Sequence, residues 1–298
     1  AEELRRLGFS MTEETDEAFF DQRSIDTWYL VTPDMPTAVD EETLTEVVPV
    51  ISRLGRAVSL NLNGCTQLKN LEPLKHAHNL KRLKLWRCYN LRSLAGLGGL
   101  TSLEEIELQS CAQLKNVDGL DGLENLQSLN LAACHHLQNV DGLKGLRKLR
   151  RLNLSWCKEL ADVDGLKGLD ALEDLSLNNC VQLQSVEGLH GDVNLRELQL
   201  WNCGQLTNVD GLAGLTSLMG LDLSECRQLE NVDGLKGLTD LEELNLSECR
   251  RLENVDGLAG LKNLQTLYLG WCTQLRNVDG LRDLDNLRIL NISKCTQI

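Results

Sequence analysis

The chain has 298 residues, 42% of them hydrophobic and 25% charged, which is the composition of a folded protein rather than of a disordered tail. Its formal net charge of −14 argues against nucleic acid or an anionic membrane surface as the partner. No apolar run approaches the ~20 residues of a membrane span, and residues 1–30 are acidic, unlike a signal peptide.

Residues 1–57 form an acidic flank whose composition differs from that of the rest of the chain. They contain thirteen acidic and five basic residues, a net charge of −8, and all three phenylalanines, Phe9, Phe19 and Phe20. We interpret this flank as an N-terminal cap that covers the apolar side chains of the segment that follows it.

Two elements are predicted inside the flank. The apolar run from Trp28 to Val31 predicts an irregular first strand. Thr43, with Glu46 three residues on, predicts a capping box that opens a helix. Pro49 is expected to kink this helix or to move its start to a later residue.

Eleven cysteines follow at a constant interval of 23 residues, and no cysteine lies outside the series. A fixed period of this length is typical of a solenoid built from stacked repeats. Repeats 1 to 11 are numbered by these cysteines, and a position such as −2 means two residues before the cysteine of that repeat. The cysteines are Cys65, Cys88, Cys111, Cys134, Cys157, Cys180, Cys203, Cys226, Cys249, Cys272 and Cys295.

Each repeat reads Leu-x-x-Leu-x-Leu-x-x-Cys-x-x-Leu-x-x-Val-Asp-Gly-Leu-x-Gly-Leu-x-x, as in the copy from Leu126 to Lys148. Leu-x-Leu alternates with period two and predicts a short strand with both leucines on one face. The apolar residues after the cysteine recur every three positions and predict a 3₁₀-like turn, because two glycines per repeat disfavour a long helix. We expect the Asp before the first glycine to cap this turn.

This motif resembles that of the leucine-rich repeat family, in the subclass with Cys where many members carry Asn. The 23-residue unit looks like the repeats of internalins and phosphatase regulators, and is similar to the Cys-bearing repeat proteins of trypanosomes. The resemblance covers residues 58–298 and implies a right-handed curved α/β solenoid with a concave parallel sheet and a convex side of turns. Repeats 1 and 2 depart from it, with Leu71-Glu72-Pro73-Leu74 and Leu94-Ala95-Gly96-Leu97 in place of Val-Asp-Gly-Leu.

The chain ends inside a repeat unit, at Ile298. An uncovered solenoid end would expose a row of leucines and an unpaired strand edge. We expect the chain to be a fragment of a longer protein or to have this end covered by a partner.

The cysteines are predicted to be structural. Zinc sites usually have paired ligands such as Cys-x-x-Cys, which the sequence lacks. In the cluster Cys134-His135-His136, the side chains of adjacent residues are expected to point in opposite directions. A catalytic thiol would be distinguished by a nearby base, whereas all eleven cysteines occupy the same position of the repeat. We therefore expect no metal, cofactor or catalytic residue, and a cytoplasmic location that keeps the thiol ladder reduced. Three Asn-x-Ser tripeptides on predicted strands, at Asn153, Asn245 and Asn291, also argue against secretion.

Large aromatic residues occupy positions that the motif leaves exposed, just after the strands. Such residues are typical anchors of protein interfaces, although they could also lie flat over small neighbours such as Ala132 or Gly270. The candidates are Trp86 and Trp201 at position −2, Trp156 and Trp271 at position −1, and Tyr268.

Charge is segregated along the same face. Basic residues lie towards its N-terminal half, at Arg82, Lys84, Arg87 and Arg151, opposed by Glu105 and Glu107. Acidic residues lie in its C-terminal half, at Asp174, Glu197, Asp222, Glu225, Glu243 and Glu248, with Lys294 at the end. This polarity favours a protein partner that carries a basic patch, unless the charges serve solubility alone.

The sequence therefore predicts a non-enzymatic scaffold or adaptor that binds a partner protein on the concave face, without nucleic acid, membrane insertion or a small-molecule substrate. Two alternatives remain open. One is a structural building block of a cytoskeletal or flagellar assembly. The other is the recognition part of an enzyme, such as a ubiquitin ligase or a phosphatase complex.

Overall fold

In a computed structural model, which describes residues 1–15 and 27–298, the chain forms one sheet whose 13 strands follow their order in the sequence. Strands β2 to β13 pair in parallel, and β1 pairs with β2 in antiparallel. The strands are β1 Phe9–Thr15, β2 Thr27–Pro33, β3 Val58–Asn61, β4 Leu80–Lys84, β5 Glu105–Glu107, β6 Ser128–Asn130, β7 Arg151–Asn153, β8 Asp174–Ser176, β9 Glu197–Gln199, β10 Gly220–Asp222, β11 Glu243–Asn245, β12 Thr266–Tyr268 and β13 Ile289–Asn291.

Short 3₁₀ segments stack on the side of the repeats opposite the sheet. The predicted leucine-rich-repeat solenoid, with a parallel sheet on one side and 3₁₀ turns on the other, is confirmed. The 3₁₀ segments after β3 are Glu72–His76, Asp141–Leu143, Asp164–Leu166, Glu187–Leu189, Asp210–Leu212, Asp233–Leu235, Asp256–Leu258 and Asp279–Leu281.

The register of the sheet turns the sequence period into a continuous core. From β4 onwards each residue pairs with the one 23 positions later, as Leu152 pairs with Leu175. Equivalent leucines, valines and cysteines therefore lie one above another, and those of repeats 2 to 9 are buried, whereas Val278 and Leu281 of repeat 10 are partly buried. No single repeat could bury its apolar face alone, so stability comes from stacking neighbours.

The first glycine of Val-Asp-Gly-Leu is required by the close approach of successive repeats. In repeat 8, a β-carbon on Gly234 would collide with the backbone carbonyl of Val209 in the preceding repeat. The second glycine, Gly237, has open space around it but a φ of +83°. The two glycines thus serve different purposes, close packing and a left-handed turn.

The predicted capping role of the Asp in this element is wrong. Its side chain caps none of the described 3₁₀ segments, and in repeat 4 Asp141 instead pairs with Lys144 at 2.6 Å. The turn is opened by the residue two positions earlier, as Asn208 Oδ1 accepts from the backbone N–H of Asp210 at 3.1 Å. An Asx turn therefore starts the 3₁₀ segment.

Repeats 2 and 3 lack the 3₁₀ segment of the later repeats. The glycines that correspond to Gly142 are Gly96 and Gly119, and both have positive φ, +102° and +97°. In repeat 3 the Asp121 carboxylate accepts from the N–H of Gly119 at 3.1 Å, which holds a different turn. Repeat 1 departs from the motif in sequence, yet it keeps a 3₁₀ segment.

In the described part of residues 1–57, two α-helices, a 3₁₀ segment (Pro36–Ala38) and an antiparallel strand pair precede the repeats. Helix α1 (Glu2–Arg6) leads into β1, and β2 pairs in parallel with β3, so the sheet continues into residues 1–57. Leu44 and Ile51 of helix α2 (Glu41–Ser52) are fully buried, as is Phe9 on β1. The strand predicted at Trp28–Val31 lies within β2, whereas α1 and β1 were not predicted. Phe19 and Phe20 lie outside the described residues.

Helix α2 begins earlier than the sequence predicted. Asp40 Oδ1 accepts from the N–H of Thr43 at 2.9 Å and from its hydroxyl at 2.8 Å, so Asp40 is the N-cap. The capping box predicted at Thr43 and Glu46 is therefore wrong, because Asp40 supplies the acceptor three residues before Thr43. Pro49 lies inside the helix and does not delay its start.

Candidate binding surface

The cysteines form a buried ladder that links successive repeats. From Cys88 to Cys295, each Sγ–H donates to the backbone carbonyl of the leucine three residues before the cysteine of the preceding repeat, at 3.0–3.4 Å. All eleven are free thiols, and burial raises the pKa to about 12 in Cys88 and Cys180. A thiol with so high a pKa is a poor nucleophile.

The chain turns sharply at the end of each strand, between position −4 and the cysteine. The N–H at position −1 donates to the carbonyl at position −2 of the next repeat, at 2.7–2.9 Å, as Trp156 does to Asn178. In all eleven repeats the cysteine N–H donates to the carbonyl at position −3 and closes a turn, in which position −1 lies in the left-handed region, with φ between +58° and +66° in the ten non-glycine copies. We call positions −2 and −1 the sheet edge, and the solvent-facing positions −6 and −4 the sheet face.

Asn and Asp side chains fix the turn. In six repeats the position −4 side chain accepts from the N–H at position −2, as Asn153 does from Ser155 at 2.9 Å. Trp86 and Trp201 follow Lys84 and Gln199 at position −4. Their N–H groups donate instead to Asn63 and Asn178 of the preceding repeat, at 2.8 and 2.9 Å. The sequence analysis did not identify these two asparagines.

The four candidate tryptophans all lie at the sheet edge, and Tyr268 lies on the neighbouring sheet face at position −4. The exposed fractions are 42% for Trp86, 44% for Trp156, 50% for Trp271 and 37% for Tyr268, while Trp201 is half-buried. Tyr89 of repeat 2, which the sequence analysis missed, is 45% exposed. Its position directly after Cys88 was the available signal. The tryptophans therefore line one edge instead of being scattered over the sheet.

Polar groups hold several of these rings. The guanidinium of Arg87 lies 4.2 Å from the centre of the Trp86 ring. The ammonium group of Lys158 lies 5.7 Å from the centre of the Trp156 ring, and that of Lys294 lies 5.7 Å from the centre of the Trp271 ring. Trp201 Nε1 donates to Glu225 Oε1 at 3.1 Å. Cation–π contacts and this hydrogen bond hold the side chains in place without covering them.

The charged residues of repeats 2 and 3 compensate one another. Arg82 forms an ion pair with Glu105 at 3.1 Å, and Lys84 forms one with Glu107 at 3.4 Å, in each case across β4 and β5. The sequence analysis placed these residues on one face, and the structure shows that the acids neutralise the bases. Arg151 lies on β7, next to Asp174 on β8.

Two of the predicted acidic residues are also neutralised. Glu225 forms an ion pair with Arg227 at 2.8 Å, and Glu248 forms one with Arg250 at 2.9 Å. Arg227 also reaches Glu248 at 3.6 Å. Both glutamates lie at position −1 on the sheet edge, so they form a mixed-charge row and not an acidic one.

Four acids on the sheet face of repeats 6 to 9 have no ion pair among the described residues: Asp174, Glu197, Asp222 and Glu243. The Glu197 carboxylate lies over Gly220, in the space that a side chain would otherwise fill. Burial raises the pKa of Glu197, and the negative charges of Asp174 and Glu243 raise it further. This part of the face therefore carries four acids without ion pairs among the residues described, and one of them, Asp222, accepts hydrogen bonds from the N–H and the hydroxyl of Ser224.

Among the residues described, no group of three or more His, Cys, Asp and Glu side chains could hold a metal ion. His136, from the cluster beside Cys134, contacts Glu159 at 2.6 Å. No helix in the described part of the chain is both long and apolar enough to cross a membrane.

Comparison with known proteins identifies the family. The family described as BspA type leucine rich repeat region matches residues 61–161 and 155–277, with six copies. The matched segments cover most of the chain, which therefore belongs to this leucine-rich repeat family. No curated protein matches the chain.

Three solved structures that match the chain are an internalin, a chain of a mouse complex and a leucine-rich repeat protein. An internalin of Listeria monocytogenes is 19% identical, with 88% of this chain and 86% of that chain covered and a TM-score of 0.44. A chain of the mouse RP105/MD-1 complex is 21% identical, with coverage of 86% and 44% and a TM-score of 0.59. A leucine-rich repeat protein of Leptospira interrogans is 20% identical, with coverage of 82% and 86% and a TM-score of 0.35.

Proposed function

We propose that the chain is a non-catalytic protein-binding scaffold or adaptor, whose partner contacts the sheet face and the sheet edge together. The leucine-rich repeat fold commonly mediates protein–protein interaction, and its members are typically non-enzymatic binding scaffolds. The observation that carries the proposal is the line of exposed aromatic residues at one edge of the sheet, from Trp86 in repeat 2 to Trp271 in repeat 10.

The extent of this line favours a macromolecular partner. Repeats 2 and 10 are eight strand steps apart, which corresponds to about 38 Å at the usual strand spacing. No small metabolite spans that distance, whereas one side of a protein interface does. Exposed tryptophans at an edge held rigid by hydrogen bonds lose little entropy on binding, which suits them as anchors.

A reducing compartment such as the cytoplasm suits the cysteine ladder. Each thiol of the ladder donates a hydrogen bond to the preceding repeat, and oxidation would remove that donor. The proposed location rests on this argument and on the free thiols.

Affinity capture from a native extract of the source organism tests the proposal. The immobilised wild-type chain is compared with Trp156→Ala, Trp201→Ala and Trp271→Ala, and with Val193→Ala as a matched control. Val193 is also an exposed apolar residue, but it lies on the turn side of repeat 6. We expect the wild type and the control to retain a protein that the tryptophan variants lose, with unchanged thermal unfolding. Equal retention by all five proteins would contradict the proposal.

A further inference from the structure

We propose that residues 190–194, called the repeat 6 turn, form a pH-sensitive conformational switch. The turn is closed while the side chain of Asp192 is protonated and opens locally when that side chain ionises, with the sheet intact in both states. This change takes place on the side of the repeats opposite the sheet, and the inference does not depend on the proposed function.

The repeat 6 turn places a carboxyl group in the apolar core. Asp192 is 1% exposed, and neither of its carboxylate oxygens has a hydrogen-bond partner among the described residues. The equivalent residues of repeats 5 and 7 are Leu169 and Leu215, and both are fully buried. Because an ionised carboxylate without donors is far more costly in such surroundings than a neutral carboxyl, the closed turn holds the protonated form.

The charges around Asp192 do not offset its burial. In residues 164–172, 187–195 and 210–218, which form the turn side of repeats 5 to 7, the other charged or titratable residues are Asp164, Lys167, Asp170, Glu187, His190 and Asp210. Lys167 pairs with Asp164 at 3.0 Å. The inward-facing residues of β8, β9 and β10 are Leu175, Leu198 and Leu221. Burial, followed by the negative charge of Asp170, raises the pKa of Asp192 to about 7.

Ionisation therefore favours a state in which Asp192 reaches water. An Asp side chain in water has a pKa near ~3.9, so between about pH 4 and 7 the closed turn binds a proton that the open turn releases. The closed state is most favoured at the acidic end of this window and is progressively lost as the pH rises to the raised pKa. Above it Asp192 is ionised in both states, and the equilibrium no longer changes with pH.

Few hydrogen bonds tie the repeat 6 turn to its neighbours. Among the described residues, the one hydrogen bond from this turn to another repeat is donated by Asn194 Nδ2 to the carbonyl of Asp170, at 2.6 Å. Strand β9 of the same stretch of chain, by contrast, pairs with both β8 and β10. The turn can therefore leave the core while the sheet remains paired.

Asp192 is also the one buried side chain of the repeat 6 turn. His190, Val193 and Asn194 are exposed. Gly191 has a φ of +95°, and a β-carbon built on it would meet no atom within 4 Å. Opening thus requires a single side chain to leave the core, and that side chain is the one that ionises.

Hydrogen–deuterium exchange of the full chain at pH 5, 6, 7 and 8 tests the inference. Rates are expressed as protection factors, because exchange itself accelerates with pH. The amides to follow are those of Asp192 and Leu195, which donate to the carbonyls of Leu189 and Asp192 at 3.1 Å. We expect their protection to fall about tenfold between pH 5 and 6, the slope for one released proton, less steeply towards pH 7, and to level off by pH 8.

Repeat 7 supplies an internal control. The amides of Leu215 and Leu218 make the equivalent hydrogen bonds, to Leu212 at 3.2 Å and to Leu215 at 3.0 Å, and their protection should not depend on pH.

Three variants assign the change to one group. Asp192→Leu, which restores the residue of the neighbouring repeats, should remove the pH dependence of the repeat 6 turn, and so should Asp192→Asn, which is neutral at every pH. His190→Gln removes the histidine of the same turn, a residue type that ordinarily titrates near neutral pH, and should leave the dependence unchanged.

Several results would overturn the inference. Protection of Asp192 and Leu195 that is independent of pH would show that the acid does not control the turn. An equal loss of protection in repeat 7 would show that the opening is not local. A loss that persists in Asp192→Leu, or that disappears in His190→Gln, would assign the dependence to another group.

Discussion

Trp156 and Trp271 occupy backbone positions at which glycine would be less strained. Their φ angles are +66° and +65°, a region that costs a residue with a β-carbon roughly 1 kcal/mol. Repeat 1 has Gly64 at the equivalent position, with a φ of +76°. Tryptophan in such a position, half exposed to solvent, is consistent with selection for binding rather than for stability.

Two substitutions of Trp271 separate the contribution of its ring to binding from the effect of its backbone conformation on stability. Trp271→Gly and Trp271→Ala both remove the ring, so both should abolish capture of the partner. Because glycine adopts positive φ without strain, Trp271→Gly should be more stable than Trp271→Ala by about 1 kcal/mol in urea-induced unfolding. Equal stability of the two variants would show that the left-handed backbone is not strained.

Asp192 is a buried acid at a position of the repeat that leucine occupies in the neighbouring repeats. It is 1% exposed, neither carboxylate oxygen has a hydrogen-bond partner among the described residues, and Leu169 and Leu215 hold the equivalent positions. Burial raises its pKa to about 7, and the charge of Asp170 contributes. The carboxyl is therefore held largely as the neutral acid below neutral pH.

This raised pKa makes the stability of the fold depend on pH. An unfolded Asp has a pKa near ~3.9, so between about pH 4 and 7 the folded state binds more protons than the unfolded state. The free energy of unfolding should then fall as the pH rises through this window. Asp192→Asn should flatten the dependence. Asp192→Leu should flatten it too and add roughly 2–4 kcal/mol at pH 8.

Chemical denaturation at a series of pH values between 4 and 8 measures this effect. Asp210→Asn, an exposed acid on the turn side, serves as the control and should keep the slope of the wild type. An unchanged slope in Asp192→Asn would mean that other groups produce the dependence.

At the scale of the repeat element, the two glycines of Val-Asp-Gly-Leu-x-Gly can be distinguished by experiment. Gly234→Ala would place a β-carbon against the carbonyl of Val209 and should cost more than about 2 kcal/mol, because backbone must move. Gly237→Ala meets open space and should cost only about 1 kcal/mol for its positive φ. The urea midpoints of the two variants provide the comparison, and a larger loss in Gly237→Ala would contradict the packing argument.

The cysteine ladder gives a second test at this scale. Because the thiols of repeats 1 to 10 are buried and burial raises their pKa, they should not react with a thiol reagent such as dithionitrobenzoate in the folded protein. Cys295 is only half-buried and should react first. All eleven should react in denaturant. Rapid labelling of Cys180 in the native state, located by mass spectrometry, would argue against a closed core.

The element scale also shows what the sequence could predict. Strand and cysteine recur with a period of 23 where the apolar spacing indicated, and so does the 3₁₀ turn except in repeats 2 and 3. The turn at position −1 could not be predicted, because Ala133, Trp156 and Glu248 share its positive φ although none is a glycine. Lys294 of repeat 11 shares this φ without a hydrogen bond to a next repeat, so the conformation belongs to the turn that the cysteine N–H and the carbonyl at position −3 close in every repeat, and not to the residue type.

At the scale of the whole molecule, the sequence predicted which residues share a face but not how they interact. The positions of Arg82 and Glu248 follow from the repeat register. That Arg82 pairs with Glu105, and Glu248 with Arg250, depends on side-chain conformations across neighbouring repeats. The sequence predicted a basic half and an acidic half of the face. In the structure, the only acids of this face without ion pairs among the described residues are the four of repeats 6 to 9.

The central claim is that this molecule binds through one continuous surface, the sheet face and its aromatic edge. Hydrogen–deuterium exchange of the chain, alone and in complex with the captured partner, tests this claim most directly. We predict slower exchange in the turns after the strands of repeats 5 to 10, around Trp156, Trp201 and Trp271, with unchanged exchange in the 3₁₀ segments on the opposite side. Protection confined to those 3₁₀ segments would contradict the account.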